Sequence, residues 1–136
     1  PQVTFEPDEL AYIHNHSIYT DHDQAWTISG GANYAFADAI GQLRASFDLI
    51  FGSGLRRDPD TGVEPNGEKL PSYTQVNLGL AQDVEGQGAW SGVTVRFDVI
   101  NLFDESYEIR DGTGVGVGAP QFGPRRAFYA GVSKTF

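Results

Sequence analysis

His14, His16 and His22 crowd into "HNHSIYTDHD" (14–23) together with Asp21 and Asp23. Imidazole and carboxylate are ligands for zinc, copper or iron, so this stretch is a candidate for capturing a metal or a metal complex in a loop. The spacing matches no closed four-ligand site, and a hydrated loop in which His and Asp cap turns is the plainer alternative. Arg56, Arg57, Arg125 and Arg126 form two pairs whose guanidinium forks could grip a carboxylate or phosphate of a ligand. Ordinary ion pairs with Asp58, Asp60 and Asp111 compete with that role. Asp104 and Glu105 adjoin without a basic partner that would argue for acid–base work, and read as a strand-end turn in which Asp caps backbone groups. "DGTGVGVGAP" (111–120) has the glycines of a phosphate loop. It lacks the strand before and the helix after that this chemistry needs, so a flexible loop is expected. The serines have no elbow motif and no matching His. Neither enzymatic activity nor a cofactor is expected.

The totals narrow the setting. A chain of 136 residues is one domain's length, or a piece of something larger, and its apolar fraction of 40% is low for a packed globule. Without Cys, there can be no disulfide framework or thiolate site. A net charge of -9 argues against a nucleic-acid partner, because phosphate binding needs a basic surface. No apolar run approaches the roughly 18 to 20 residues of a spanning helix, which leaves a membrane strand open. The chain starts at Pro1 with no basic-then-apolar leader, so any targeting segment is expected upstream or removed.

Residues 1–25 are expected to be loop or a short helix. Pro7, Asp8 and Glu9 suit a first helical turn, so a helix over about 7 to 15 competes with a strand from Ala11 to Tyr19. From Trp26 the period becomes two. Trp26, Ile28, Gly30, Ala32, Tyr34 and Phe36 share one face of the first segment. Leu43, Ala45, Phe47, Leu49 and Phe51 oppose Arg44, Ser46 and Asp48 in the second, and Thr74, Val76, Leu78 and Leu80 oppose Tyr73, Gln75, Asn77 and Gly79 in the third. Val93, Val95, Phe97 and Val99 oppose Thr94, Arg96 and Asp98 in the fourth. Phe128, Ala130, Val132 and Phe136 form the last, with Lys134 interrupting the apolar row. The expected fold is all-β: an antiparallel meander of five strands, with room for a sixth.

The connections run short, long, short, long, as in outer-membrane barrels. Aromatic residues sit near the strand ends, where interfacial girdles form: Trp26, Phe36, Phe51, Tyr73, Trp90, Phe103 and Phe128. The polar faces carry small residues, amides and opposite charges, with Arg44 expected beside Asp48 and Arg96 beside Asp98. In a barrel those four face the lumen. A one-residue slip would turn both arginines to lipid at roughly 2–4 kcal/mol each near the midplane.

"LPSYTQVNLGL" (70–80), "VRFDVINLFDESYEIRDG" (95–112) and "GPRRAFYAGVSKTF" (123–136) resemble the last strands of TonB-dependent outer-membrane receptors. The N-L-F-D-x-x-Y element, here Asn101, Leu102, Phe103, Asp104 and Tyr107, is the most specific piece, and the terminal Phe136 fits it. The resemblance covers residues 24 to 136. It implies that 26–136 are the C-terminal strands of a 22-stranded barrel in the outer membrane of a Gram-negative bacterium, importing a ferric siderophore, haem, cobalamin or an oligosaccharide with energy from TonB. The plug domain and the TonB contact would then lie outside this chain, which should self-associate through its free strand edges. The alternative is a small self-contained barrel, a membrane adhesin or a lipocalin-like binding protein, which needs about eight strands. A hydrolase on a small membrane barrel is a weaker third reading, since it needs a Ser–His pair on adjacent strand ends.

Overall fold

The computed structural model describes residues 6–86, 88–113 and 118–135. Phe136 and the centre of the Gly-rich loop, 114–117, lie outside them. The N-terminal rivalry is decided for the helix: α1 spans Pro7–Asn15 and no residue of it is buried. Pro7 opens it, Asp8 and Glu9 face its positive end, and the Glu9 carboxylate accepts a hydrogen bond from the Glu6 amide at 2.6 Å.

Five long or medium strands form the expected antiparallel sheet: β1 (Thr27–Ala37), β2 (Gly41–Gly52), β5 (Tyr73–Val84), β6 (Val93–Ile100) and β9 (Ala127–Lys134), in the order β1-β2-β5-β6-β9. Sequence neighbours are sheet neighbours, so the strands form a meander with β1 and β9 as its edges. The connections at one end are short, 38–40 and 85–92, whereas those at the other are long, 53–72 and 101–126. Each long connection folds into a small ribbon of its own. β3 (Arg56–Arg57) pairs with β4 (Glu68–Lys69), and β7 (Glu108–Arg110) pairs with β8 (Gln121–Phe122) across a bulge.

The registers of β5 with β6 and of β6 with β9 keep the period of two. Leu80 lies opposite Phe97 and Phe97 opposite Ala130, while Ala81 lies opposite Arg96 and Arg96 opposite Gly131. One side is therefore mainly apolar, interrupted by Gln82 and Lys134, and the other carries most of the polar and small residues. Two compact units result. The sheet unit comprises Ile28–Ile50, Thr74–Glu105 and Pro124–Phe136, and the loop unit comprises Pro1–Thr27, Phe51–Tyr73 and Ser106–Gly123.

Little of this is a core in the ordinary sense. Among the described residues, the buried hydrophobic side chains are Leu70, Val76, Val93 and Val99. The largest fully buried side chains are Asn101 and Pro65. The chain is held by backbone ladders and polar networks far more than by apolar packing.

Candidate functional site

The polar side of the sheet encloses a hollow of about 740 Å³, lined from all five strands by residues such as Asn33, Arg44, Ser46, Thr94, Arg96 and Asp98. This is the concave side. Its charges are cross-linked in two groups. Arg44 reaches Asp83 on the neighbouring strand at 3.0 Å, and the same Asp83 oxygen accepts the Thr94 hydroxyl at 2.7 Å. Arg96 forks onto Asp98 two residues along its own strand, at 2.6 and 2.9 Å. The expected Arg96–Asp98 contact is present, whereas Arg44 chooses Asp83 rather than Asp48. Cross-strand neighbours on one face come closer than a residue four positions away along the same extended strand, which explains that correction. Asp83 could have been found from parity, since it shares a face with Gln75, Asn77 and Gly79. Asp48 lies against Gly31, where an added Cβ would sit 2.6 Å from its Oδ1. Tyr129, opposite Asp98, adds an aromatic ring to the same face.

A second polar construction closes the long-connection end of the sheet unit. Asn101 adopts a positive φ of 50° and is fully buried. Its amide nitrogen Nδ2 donates to the carbonyls of Glu105 (2.9 Å) and Pro124 (2.8 Å), and its Oδ1 accepts from the Glu105 amide at 3.0 Å. Its own backbone N–H donates to Asn77 Oδ1 at 3.0 Å, and the next amide, Leu102, donates to Val76 O at 2.7 Å. The Glu105 side chain returns to accept from the Thr74 amide at 3.1 Å. One asparagine thus fastens the ends of β5 and β6 to the entry of β9. Asn is among the few non-Gly residues that tolerate this φ, which is why the position carries it.

Asp104, also at positive φ (54°), completes the clasp. It accepts two hydrogen bonds from the Arg125 guanidinium, at 2.8 and 2.6 Å, and one from the Arg126 amide at 2.9 Å. The Arg125 fork, followed by the Arg126 amide, holds the Asp104 carboxyl well below the usual carboxylate range, and Asp104 raises Arg125 in turn. Asp104 caps a backbone amide at the strand end as expected, but the expectation that it lacks a basic partner is overturned by the Arg125 fork, which a residue 21 positions away supplies.

Within the loop unit, the remaining candidates are engaged by one another. Arg57 contacts Glu68 at 2.6 Å, Asp60 at 3.3 Å and Asp111 at 4.0 Å. The Glu68 hydrogen bond, then the Asp60 charge, raise the Arg57 pKa further. The Arg56 guanidinium stacks 3.5 Å from the Tyr19 ring centroid. Asp58 accepts the Asn66 amide at 2.8 Å and Asn66 Nδ2 donates to the Tyr19 carbonyl at 3.0 Å. The three histidines part company: His14 ends α1, His16 stacks on Tyr12 at 4.1 Å, and His22 Nε2 lies 2.8 Å from Arg110, which also meets Asp21 at 2.6 Å. Among the described residues, no three His, Asp or Glu side chains converge to hold a metal ion.

Two tyrosines form a further element of the loop unit. Tyr73 and Tyr107 stack at 4.2 Å with planes 8° apart, and the slab is sandwiched between Gly52 and Gly123. A Cβ at either glycine would overlap a ring, so both positions require the absence of a side chain. Tyr107 is the last residue of the N-L-F-D-x-x-Y element, and its ring is what that spacing delivers to Gly123.

No family model, curated protein or solved structure matches this chain.

Proposed function

We propose that the five strands are part of the barrel wall of a TonB-dependent outer-membrane transporter, with one face against lipid and the other against a polar lumen. The observation that carries the reading is the direction of amphipathicity. The convex side exposes large apolar side chains on every strand: Tyr34 is 69% exposed, Phe47 40%, Leu80 49%, Phe97 46% and Val132 74%. In water a contiguous apolar surface of this kind would be a liability that soluble monomers avoid. Lipid removes that liability, and the polar hollow then takes the place of an aqueous or plugged interior. β1, β2 and β5, at 11, 12 and 12 residues, also reach the 9–11 that a tilted transmembrane strand requires.

The transported ligand would be a scarce, bulky solute such as a ferric siderophore, haem, cobalamin or an oligosaccharide, following the resemblance of residues 24 to 136 to that family. This wall contributes no covalent chemistry. Arg44, Asp83, Arg96 and Asp98 would give the lumen alternating charge and so favour a hydrated or polar occupant. The testing experiment is an immunoblot of fractionated source cells with antibody against this chain. A heat-modifiable outer-membrane band of about 70–110 kDa is expected, the mass of a plug with about 22 strands. A band near 14.8 kDa in the soluble fraction overturns the reading.

A further inference from the structure

The apolar face of the sheet is free of charge along four of its five strands. β9 is different: its outward row Phe128, Ala130, Val132, Lys134 is preceded by Arg126, just ahead of the strand, which puts a cation at each end. Eight residues at about 3.3 Å separate the two by roughly 26 Å along the strand, and a tilt of about 40° shortens the rise to roughly 20 Å. That is close to the roughly 25 Å apolar band of a membrane barrel, so the cations fall near its two margins, where long basic side chains reach the headgroups. Lys134 donates to the Ala89 carbonyl at the short-turn end.

Arg126 is the informative one. Its neighbour Arg125 is neutralised by the fork onto Asp104, and the same carboxylate holds the Arg126 backbone amide. The Arg126 guanidinium makes no carboxylate salt bridge among the described residues. It lies 5.9 Å from the Phe128 ring centroid and 3.4 Å from the Leu102 carbonyl. Phe128, and Phe103 which follows Leu102 in the chain, are 62% and 71% exposed. A protein with a net charge of -9 thus keeps, at the margin of an apolar face and beside the Phe128 ring, a guanidinium with no direct carboxylate contact among the described residues.

We infer that Arg126, with Phe128 and Phe103, forms an anchor for the phosphate of an anionic lipid headgroup at the long-connection end of the sheet. The guanidinium takes the phosphate, and the rings take the acyl–headgroup boundary. The inference rests on the lipid-facing reading of the convex side. The net negative charge makes it specific, because non-local electrostatics would repel an anionic lipid.

The test refolds the chain into zwitterionic micelles and titrates fluorescent phosphatidylglycerol against phosphatidylcholine. Wild type should prefer the anionic lipid, Arg126→Gln should lose about five-fold in that preference, and Arg126→Lys should retain most of it. Equal binding of the two lipids by wild type, or an unchanged preference in Arg126→Gln, overturns the anchor. Displacement of the lipid by inorganic phosphate, beyond the screening produced by chloride at equal ionic strength, points to a free-anion site and overturns it too. The detergent belt, measured by light scattering, separates the two levels. Wild type that carries no belt overturns the lipid-facing reading and the anchor together, whereas a belt without headgroup preference overturns the anchor alone.

Discussion

Asn101 has the largest consequences of any single side chain in the sheet unit. Replacing it with Ala strands the Glu105 amide and the Glu105 and Pro124 carbonyls in a partly buried setting, and imposes a positive φ on a residue that resists it. A loss of about 2–4 kcal/mol follows, to be read as a lowered urea midpoint in detergent. Asp104 makes a prediction in pH. Its folded pKa is depressed, so the stability it contributes is fully present above the unfolded value of about 3.9 and is lost only as pH falls through the folded value. Carbon-13 NMR of the carboxyl should therefore show Asp104 still ionised at pH 3, and Arg125→Gln should return its titration toward the ordinary range.

At the scale of elements, the long connections depend on contacts that no local propensity encodes. The Gly52–Tyr73–Tyr107–Gly123 sandwich joins the two strand ends that flank one long connection to residues of the other, far apart in sequence. Gly123→Ala should push Tyr107 out of the stack, with an expected cost of about 1–3 kcal/mol from overpacking, and should expose the long connections to protease sooner than the strands. Tyr107→Phe, which keeps the ring, should be the milder change. Cleavage of both variants at the same rate as wild type would remove the sandwich from the account of how these connections are held.

For the whole molecule, the question is which solvent each face meets. Phe97→Arg, on the convex side, should impair insertion into vesicles by about 2–4 kcal/mol if that residue lies near the midplane. Asn33→Lys adds the same charge to the concave side and should insert within about 0.5 kcal/mol of wild type. Equal penalties for the two would mean that the sheet does not separate lipid from a polar interior. Tryptophan fluorescence with lipid-borne quenchers gives an independent reading through Trp26 and Trp90, each 70% exposed.

The alternation of Val93, Val95, Phe97 and Val99 with Thr94, Arg96 and Asp98 was enough to determine the strands, their order as a meander and the face each side chain takes. These follow from a period of two and from connection lengths, which are local properties. Helix α1 was legible for the same reason, through Pro7 and two acids in its first turn, although a rival strand had to be eliminated. Partner choice was not legible. Arg44 pairs with Asp83 and not Asp48, Asn101 gathers Asn77, Glu105 and Pro124, and Tyr107 finds Gly123. Of the candidate ligand-gripping arginines, Arg57 meets the Asp60 and Asp111 that the sequence offered as competing partners and Glu68 besides, and Arg125 holds the strand-end Asp104. Each of these contacts depends on strand register or on the path of a long connection, and both are settled by three-dimensional packing between segments distant in the chain. The tertiary structure alone also decided that the polar face is the concave one, because curvature belongs to the assembled sheet and to no single strand within it.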